Sequence, residues 1–191
     1  MKKIDILIVG VGGQGTLLSS RILGKLAMDA GLDVKLSEVH GMAQRGGSVV
    51  THVRIGQNVQ SPVIDMGKAD MIIAFEELEA LRWAHYLKDF GKIIVNLQQI
   101  KPMPVIMGAC KYPQDILERL AKKYDVVAVD ALALAKKAGS IKCVNTVLLG
   151  VAAKVLGMDK AAWLAAVKDT VPPKTAEVNI SAFEVGYDFI K

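Results

Sequence analysis

Residues 6–15 are Ile6-Leu7-Ile8-Val9-Gly10-Val11-Gly12-Gly13-Gln14-Gly15, and this stretch decides the fold class of the chain. A short apolar run that ends at a glycine-rich loop is typical of a strand buried on both faces and followed by a tight turn. After Gly15 the apolar residues Leu18, Ile22 and Leu26 recur with helical spacing. Together with a second predicted strand at 34–39, this order predicts a β-α-β unit.

The same alternation of strand and helix patterns continues to the end of the chain, so we predict an α/β fold. The expected architecture is a single Rossmann-like domain of three layers with an open, mostly parallel sheet; a mixed sheet is the alternative. Further strands are predicted at 48–55, 71–74, 92–95 and 126–129, with a weak strand at 105–107 and an antiparallel return at 59–64. Further helices are predicted at 76–88, 114–124, 131–138, 144–156, 159–168 and 179–189.

Composition excludes several classes of protein. Hydrophobic residues make up 52% of the 191 residues and charged residues 23%, which excludes disorder as the main state. A membrane span needs about 20 apolar residues, and the most apolar stretch, 144–156, is shorter and contains Asn145 and Lys154. The acid at Asp5 interrupts any secretory signal. We therefore expect a cytoplasmic protein without membrane contact, and the net charge of +5 is too dispersed to predict nucleic-acid binding.

Cysteine and histidine usage predicts no metal site and no cofactor held by this chain alone. An iron–sulfur cluster usually takes four cysteine thiolates, and the chain has two cysteines, Cys110 and Cys143. Its three histidines lack the ligand spacing of a zinc site. An electron-carrying cluster, if one is needed, must belong to a partner.

The glycine-rich loop is the first candidate site. Gly10, Gly12 and Gly15 match the G-x-G-x-x-G pattern, in which the backbone and a helix N-terminus approach an anion. Glu38 ends the second strand, where a ribose-binding acid lies in dinucleotide enzymes, although the polar Gly13-Gln14 pair at the helix entry disfavours that interpretation. An anion or partner contact and simple helix–strand packing are the alternatives. The candidate binding residues are Gly10, Gly12, Gly13, Gln14 and Gly15.

A second candidate loop follows the second strand, from His40 to Gly47. Loops at the carboxyl ends of strands line the ligand crevice of α/β sheets, so we expect this loop and the first to lie on neighbouring strands. The guanidinium of Arg45 suits a phosphate, a carboxylate or an acidic partner. The candidate residues here are His40, Gln44, Arg45, Gly46 and Gly47. No catalytic residue is predicted, and Asn145 is expected to be a helix N-cap.

Both loops resemble the signatures of the gamma-type subunits of 2-oxoacid:ferredoxin oxidoreductases. The segment from Ala69 to Ala74 with Glu79-Ala80-Leu81, and the segment Asn145-Thr146-Val147-Leu148-Leu149-Gly150, resemble a third and a fourth signature. Within this family, the length and the segment 96–113 are most similar to the beta subunit of indolepyruvate ferredoxin oxidoreductase. Gamma subunits acting on pyruvate, 2-oxoglutarate or branched-chain 2-oxoacids are the alternatives.

The resemblance implies a function for residues 1–191 as one catalytic domain of gamma type, inactive alone. The whole complex would oxidatively decarboxylate an aryl 2-oxoacid to an acyl-CoA, with coenzyme A as co-substrate and ferredoxin as electron acceptor. Thiamine diphosphate and iron–sulfur clusters would lie on the companion alpha subunit, and the two loops would help to form the coenzyme A or substrate pocket. A non-catalytic assembly module and an independent NAD(P)-binding oxidoreductase are the competing functions, and the isolated chain could form a homodimer.

Overall fold

The computed structural model describes residues 3–41 and 46–190, in which six strands form one sheet. The spatial order is β2-β3-β1-β4-β5-β6. β3 pairs antiparallel with both of its neighbours, whereas the pairs β1–β4, β4–β5 and β5–β6 are parallel. The predicted α/β fold is therefore confirmed, with a mixed sheet. The strands are β1 Ile4–Val11, β2 Asp33–His40, β3 Ser48–Gly56, β4 Ala69–Ala74, β5 Leu87–Asn96 and β6 Asp125–Val129.

Helices cover both faces of the sheet and create two cores. Ile6 and Ile8 of β1 pack into the core under α1 and α5–α8, while Leu7 and Val9 pack into the core under α2 and α4. All four side chains are fully buried, which explains the uninterrupted apolar run. The helices are α1 Thr16–Asp29, α2 Glu77–Trp83, α3 Met103–Ile106, α4 Ile116–Ala121, α5 Ala131–Lys137, α6 Val144–Leu156, α7 Lys160–Thr170 and α8 Ala176–Tyr187.

The predicted antiparallel return at 59–64 is wrong. The structure describes all of residues 57–68 and places no strand there. Arg54 instead donates to the carbonyl oxygens of Ser61 and Val63, at 3.1 and 2.8 Å, and Ile64 is buried against the sheet. Because a proline interrupts this segment and offers no N–H for a ladder, side-chain donors satisfy its backbone instead.

Two other predicted elements differ from the structure for local reasons. The weak strand at 105–107 is replaced by the short helix α3, which has Pro104 in its first turn; a proline in the first turn of a helix leaves no needed N–H missing. The predicted helix at 76–88 ends at Trp83, a 3-10 turn follows, and β5 begins at Leu87. Leu87, the first residue of β5, pairs with Ala69 of β4, so the strand begins within the segment that was predicted to be helical.

Helices α6 and α8 approach each other so closely that glycine is required on both. A Cβ atom at Gly150 would lie 2.1 Å from the carbonyl oxygen of Phe183, and one at Gly186 would lie 2.0 Å from that of Val147. Residues 145–153 of α6 are all buried, which accounts for the most apolar stretch of the sequence. No helix in the described ranges is long and apolar enough to cross a bilayer.

Candidate functional site

The two glycine-rich loops meet at the carboxyl edge of the sheet. The N–H of Gly12 donates to the carbonyl oxygen of Gly47 at 2.9 Å. The expectation of neighbouring strands is wrong, because β3 lies between β1 and β2. The loops are nevertheless adjacent, since β3 starts beside the end of β1, where Val11 pairs with Ser48. Gln44 and Arg45 lie outside the described residues.

The first loop has the backbone geometry that its glycines predict. Gly15 is the N-cap residue of α1 with φ at +89°, and Gly13 has φ at +99°. A Cβ at Gly15 would lie 3.1 Å from the amide nitrogen of Asn145, whereas no heavy atom of the described residues lies within 4 Å of a Cβ at Gly13. The prediction of Asn145 as an N-cap is wrong, because Cys143 precedes α6 and Asn145 is buried against this loop.

A pocket of about 460 Å³ opens beside this turn, and we call it the glycine-loop pocket. No side chain of the described residues caps α1, so N–H groups of its first turn are available to an anion. The carboxylate of Glu38, which also lines the pocket, accepts hydrogen bonds from the hydroxyls of Thr51 at 3.0 Å and of Thr16, the first residue of α1, at 3.5 Å. The pocket is lined by Gly12, Gly13, Gly15, Thr16, Glu38 and His40, among others.

The side chain of Gln14 forms hydrogen bonds with residues at the ends of β1, β4 and β5. Its side-chain oxygen accepts from the N–H of Val11 at 2.7 Å, and its amide nitrogen donates to Phe75 O at 3.0 Å and to Gln98 Oε1 at 3.1 Å. A Cβ at Gly10 would lie 2.7 Å from the Gln14 oxygen, so Gly10 makes room for this side chain. The polar amide at the helix entry thus has an architectural role, and ligand contacts of Gly10 and Gln14 stay predictions.

Substituting Gln14 by leucine is expected to lower the free energy of unfolding by about 2 kcal/mol, because the Val11 N–H loses its acceptor while the Phe75 carbonyl keeps its hydrogen bond from Asn96. Urea denaturation followed by circular dichroism measures this change. Gln60 is exposed, and its replacement by leucine serves as the control, with an expected change within about 0.5 kcal/mol. Equal effects of the two substitutions would contradict the architectural role.

A second pocket, of about 440 Å³, lies on the other side of Gly46 and Ser48, and we call it the Glu79 pocket. Glu79 is only 4% exposed. Its carboxylate accepts from the Ser48 hydroxyl and, at 3.3 Å, from the indole N–H of Trp83, and it pairs with Arg82 Nε at 3.2 Å. Sequence reasoning placed Glu79 in the third family signature but predicted no pocket beside it.

Glu76 is a second buried glutamate, and it is hydrogen-bonded to the backbone of Glu79. Its carboxylate accepts from the N–H of Glu79 at 2.9 Å, from the N–H of Ile100 at 3.0 Å and from the Tyr112 hydroxyl at 2.6 Å. Burial is the main cause that raises the pKa of Glu79 above its ordinary value, and the nearby charge of Glu76 adds to it. Burial, with the Glu76 carboxylate, also raises the pKa of Tyr112. The two glutamates therefore form a desolvated acid pair.

Neither cysteine is placed to hold an iron–sulfur cluster. Cys143 is buried in the core under α6, and Cys110 is exposed in the wall of the Glu79 pocket. Across the residues that the structure describes, no three His, Cys, Asp or Glu side chains are grouped as metal ligands. The described side chains do not fit such a cluster.

Comparison with known proteins identifies the family. The family model described as pyruvate ferredoxin/flavodoxin oxidoreductase matches residues 5–189. The chain belongs to this family. It is 41% identical over 192 residues to the indolepyruvate oxidoreductase subunit IorB of Thermococcus kodakarensis, with 97% of this chain and 95% of that protein covered. The resemblance stated from the sequence is therefore confirmed.

Other pyruvate ferredoxin/flavodoxin oxidoreductase family members match over a similar length. The common gamma subunit of the pyruvate/ketoisovalerate oxidoreductases of Pyrococcus furiosus is 29% identical, with 97% of this chain and 96% of that protein covered. The gamma subunit of the keto/oxoacid ferredoxin oxidoreductase of Geobacter sulfurreducens has the same fold, with a TM-score of 0.72 at 24% identity and coverage of 97% and 96%. This chain is thus an IorB-like subunit of the 2-oxoacid:ferredoxin oxidoreductase class.

Proposed function

We propose that residues 1–191 form a catalytic domain of gamma type in a complex that oxidatively decarboxylates an aryl 2-oxoacid, indolepyruvate, to its acyl-CoA. Ferredoxin takes the electrons. The 41% identity to a subunit named for indolepyruvate supports this choice of substrate over pyruvate, since the relative named for pyruvate and ketoisovalerate is 29% identical. Thiamine diphosphate and the iron–sulfur clusters lie on a companion alpha subunit, which supplies the redox chemistry.

The task of this chain in the complex is to bind coenzyme A in the glycine-loop pocket. The observation that carries this assignment is the uncapped N-terminus of α1 beside Gly12, Gly13 and Gly15. Backbone N–H groups and the helix dipole at such an end favour phosphate, and coenzyme A carries phosphates. Arg45, predicted from the sequence as a phosphate or carboxylate ligand, and His40 belong to the same site in this proposal.

An acidic side chain at Gly13 is expected to weaken coenzyme A binding. Aspartate and asparagine are similar in shape, so both variants share the backbone strain of a side chain at φ +99°, and no heavy atom of the described residues lies within 4 Å of the Cβ position at Gly13. Gly13→Asp therefore places a negative charge at the helix N-terminus, where it competes with phosphate, whereas Gly13→Asn keeps the shape without the charge. We expect Gly13→Asp to raise the KM for coenzyme A about tenfold relative to Gly13→Asn, in steady-state assays of the purified complex.

The KM for the 2-oxoacid serves as the internal control and should agree between the two variants. Equal KM values for coenzyme A would contradict the pocket assignment. Loss of assembly in both variants, detected by co-purification with the companion subunit, would instead favour the assembly module. Arg45→Ala tests the second loop in the same assay, because unchanged constants for coenzyme A and the 2-oxoacid in an intact complex would remove Arg45 from the site.

A further inference from the structure

Most of the exposed lining of the Glu79 pocket is apolar. The apolar side chains are Val11, Leu78, Ile100, Pro102, Pro104 and Val105, and the charged Arg82 and Lys111 also line the pocket. Its volume of about 440 Å³ lies within the range of small-molecule sites, about 300–1,000 Å³. Apolar walls of this kind favour a flat hydrocarbon surface such as an aromatic ring.

The polar part of the lining, Glu79 and Ser48, presents hydrogen-bond acceptors to the cavity. Glu79 and Ser48 both line the cavity, and the Ser48 hydroxyl donates its own hydrogen to Glu79. The Glu79 oxygen nearest to Arg82 receives one ion pair at 3.2 Å, and a carboxylate oxygen accepts more than one donor. An apolar slot with an acceptor at its base suits a ring that carries an N–H group.

We infer that the Glu79 pocket binds a heteroaromatic N–H ring of the indole type, with Glu79 as the acceptor of its N–H. This inference rests on the proposed function and deepens it, because it assigns the aryl part of the substrate to this chain rather than to the companion subunit. The wall from Ile100 to Val105 also belongs to segment 96–113, where the sequence resemblance favours an indolepyruvate enzyme over its relatives.

The segment around α3 offers a matched pair of variants. Val105 is half-buried and lines the pocket, whereas the adjacent Ile106 does not line it and is 63% exposed. Val105→Trp fills the cavity with a bulky side chain, while Ile106→Trp adds the same bulk on the outer side of the same helix. Any general effect of a tryptophan on α3 is therefore shared by both variants.

The test is calorimetric titration of the full isolated chain with two soluble probes, indole-3-acetate and 1-methylindole-3-acetate. The methylated probe has the same ring without the N–H donor. We expect indole-3-acetate to bind about tenfold more tightly than the methylated probe, since a buried acceptor gains a charge-assisted hydrogen bond from the first only. Val105→Trp should weaken binding of indole-3-acetate by at least about tenfold, and Ile106→Trp should change it less than about twofold.

Three outcomes overturn the inference: no binding of indole-3-acetate to the wild-type chain, equal affinity for the two probes, or equal binding by the two tryptophan variants. Glu79→Gln provides a second measurement of the same contact, because the substitution removes the charge of the acceptor. We expect the preference for indole-3-acetate over the methylated probe to shrink in this variant, and an unchanged preference would remove Glu79 from the site.

Failure of this inference is distinguishable from failure of the proposed function. In the purified complex, Glu79→Gln should lower kcat/KM for indolepyruvate more than for phenylpyruvate, which lacks the N–H. A complex that oxidises indolepyruvate equally well with either tryptophan variant retains the proposed function and overturns the pocket. Probe binding by the chain together with a complex inactive on indolepyruvate overturns the proposed function instead.

Discussion

Alanine at Gly150 or at Gly186 is expected to lower the free energy of unfolding by about 3 kcal/mol. The added methyl group would lie 2.1 Å from the carbonyl oxygen of Phe183 in the first case and 2.0 Å from that of Val147 in the second. Both obstacles are backbone atoms of the facing helix, so no side-chain rotation relieves the overlap and α6 must move away from α8. Urea denaturation followed by circular dichroism measures the loss.

Gly24→Ala is the matched control for this prediction. Gly24 also lies inside a helix, α1, but among the described residues a Cβ there would meet only Leu36 Cδ1 at 3.6 Å, an ordinary van der Waals contact. Because alanine loses less backbone entropy than glycine on folding, we expect this variant to be more stable by about 0.5–1 kcal/mol. Similar changes at Gly24 and Gly150 would show that helix propensity, and not the close approach of α6 and α8, controls both positions.

Glu76→Ala is the second substitution with a large expected effect. The side chain is 1% exposed and accepts hydrogen bonds from Ile100, Glu79 and Tyr112. A buried donor left without an acceptor costs about 1–3 kcal/mol, so three donors imply a total loss of at least about 3 kcal/mol. The midpoint of urea denaturation should therefore fall far more than for an ordinary surface substitution.

Part of this loss comes from helix capping, and Asp159→Ala measures that part by itself. Glu76 is the N-cap residue of α2, and Asp159 has the same position in α7, where it accepts from the N–H groups of Ala161 and Ala162. Asp159 is exposed, so its replacement should cost about 1 kcal/mol. If Glu76→Ala costs no more than Asp159→Ala, the buried network around Tyr112 contributes nothing to stability.

The N-terminal part of the fold was predictable because its signals are local. The run from Ile6 to Val9 is apolar at every position, and only a strand covered on both faces accommodates that pattern. The glycines at 13 and 15 adopt the positive φ angles for which glycine is favoured. The two loops were also expected together, because the carboxyl ends of parallel strands share one edge of a sheet.

Other features of the site depend on partners far away in the chain. Asn145 looks like a helix cap in the sequence, but it is buried against Gly15, about 130 residues earlier. Gln14 resembles a ligand contact at a helix entry until Phe75 and Gln98 are seen to bind its amide. A polar residue's role is decided by which groups remain unpaired around it, and local sequence does not contain that information.

The sequence by itself determined the α/β class, the glycine turn at the start of α1 and the family, because each rests on short local patterns that can be recognised one by one along the chain. Only the tertiary structure decided that β3 lies between β1 and β2. It also decided that Glu79 lines the same pocket as Ile100, Pro102, Pro104 and Val105. The physical reason is burial. An exposed glutamate and a buried glutamate cannot be told apart in the sequence. Only packing against residues that are distant in the chain makes Glu79 a buried acceptor with a raised pKa.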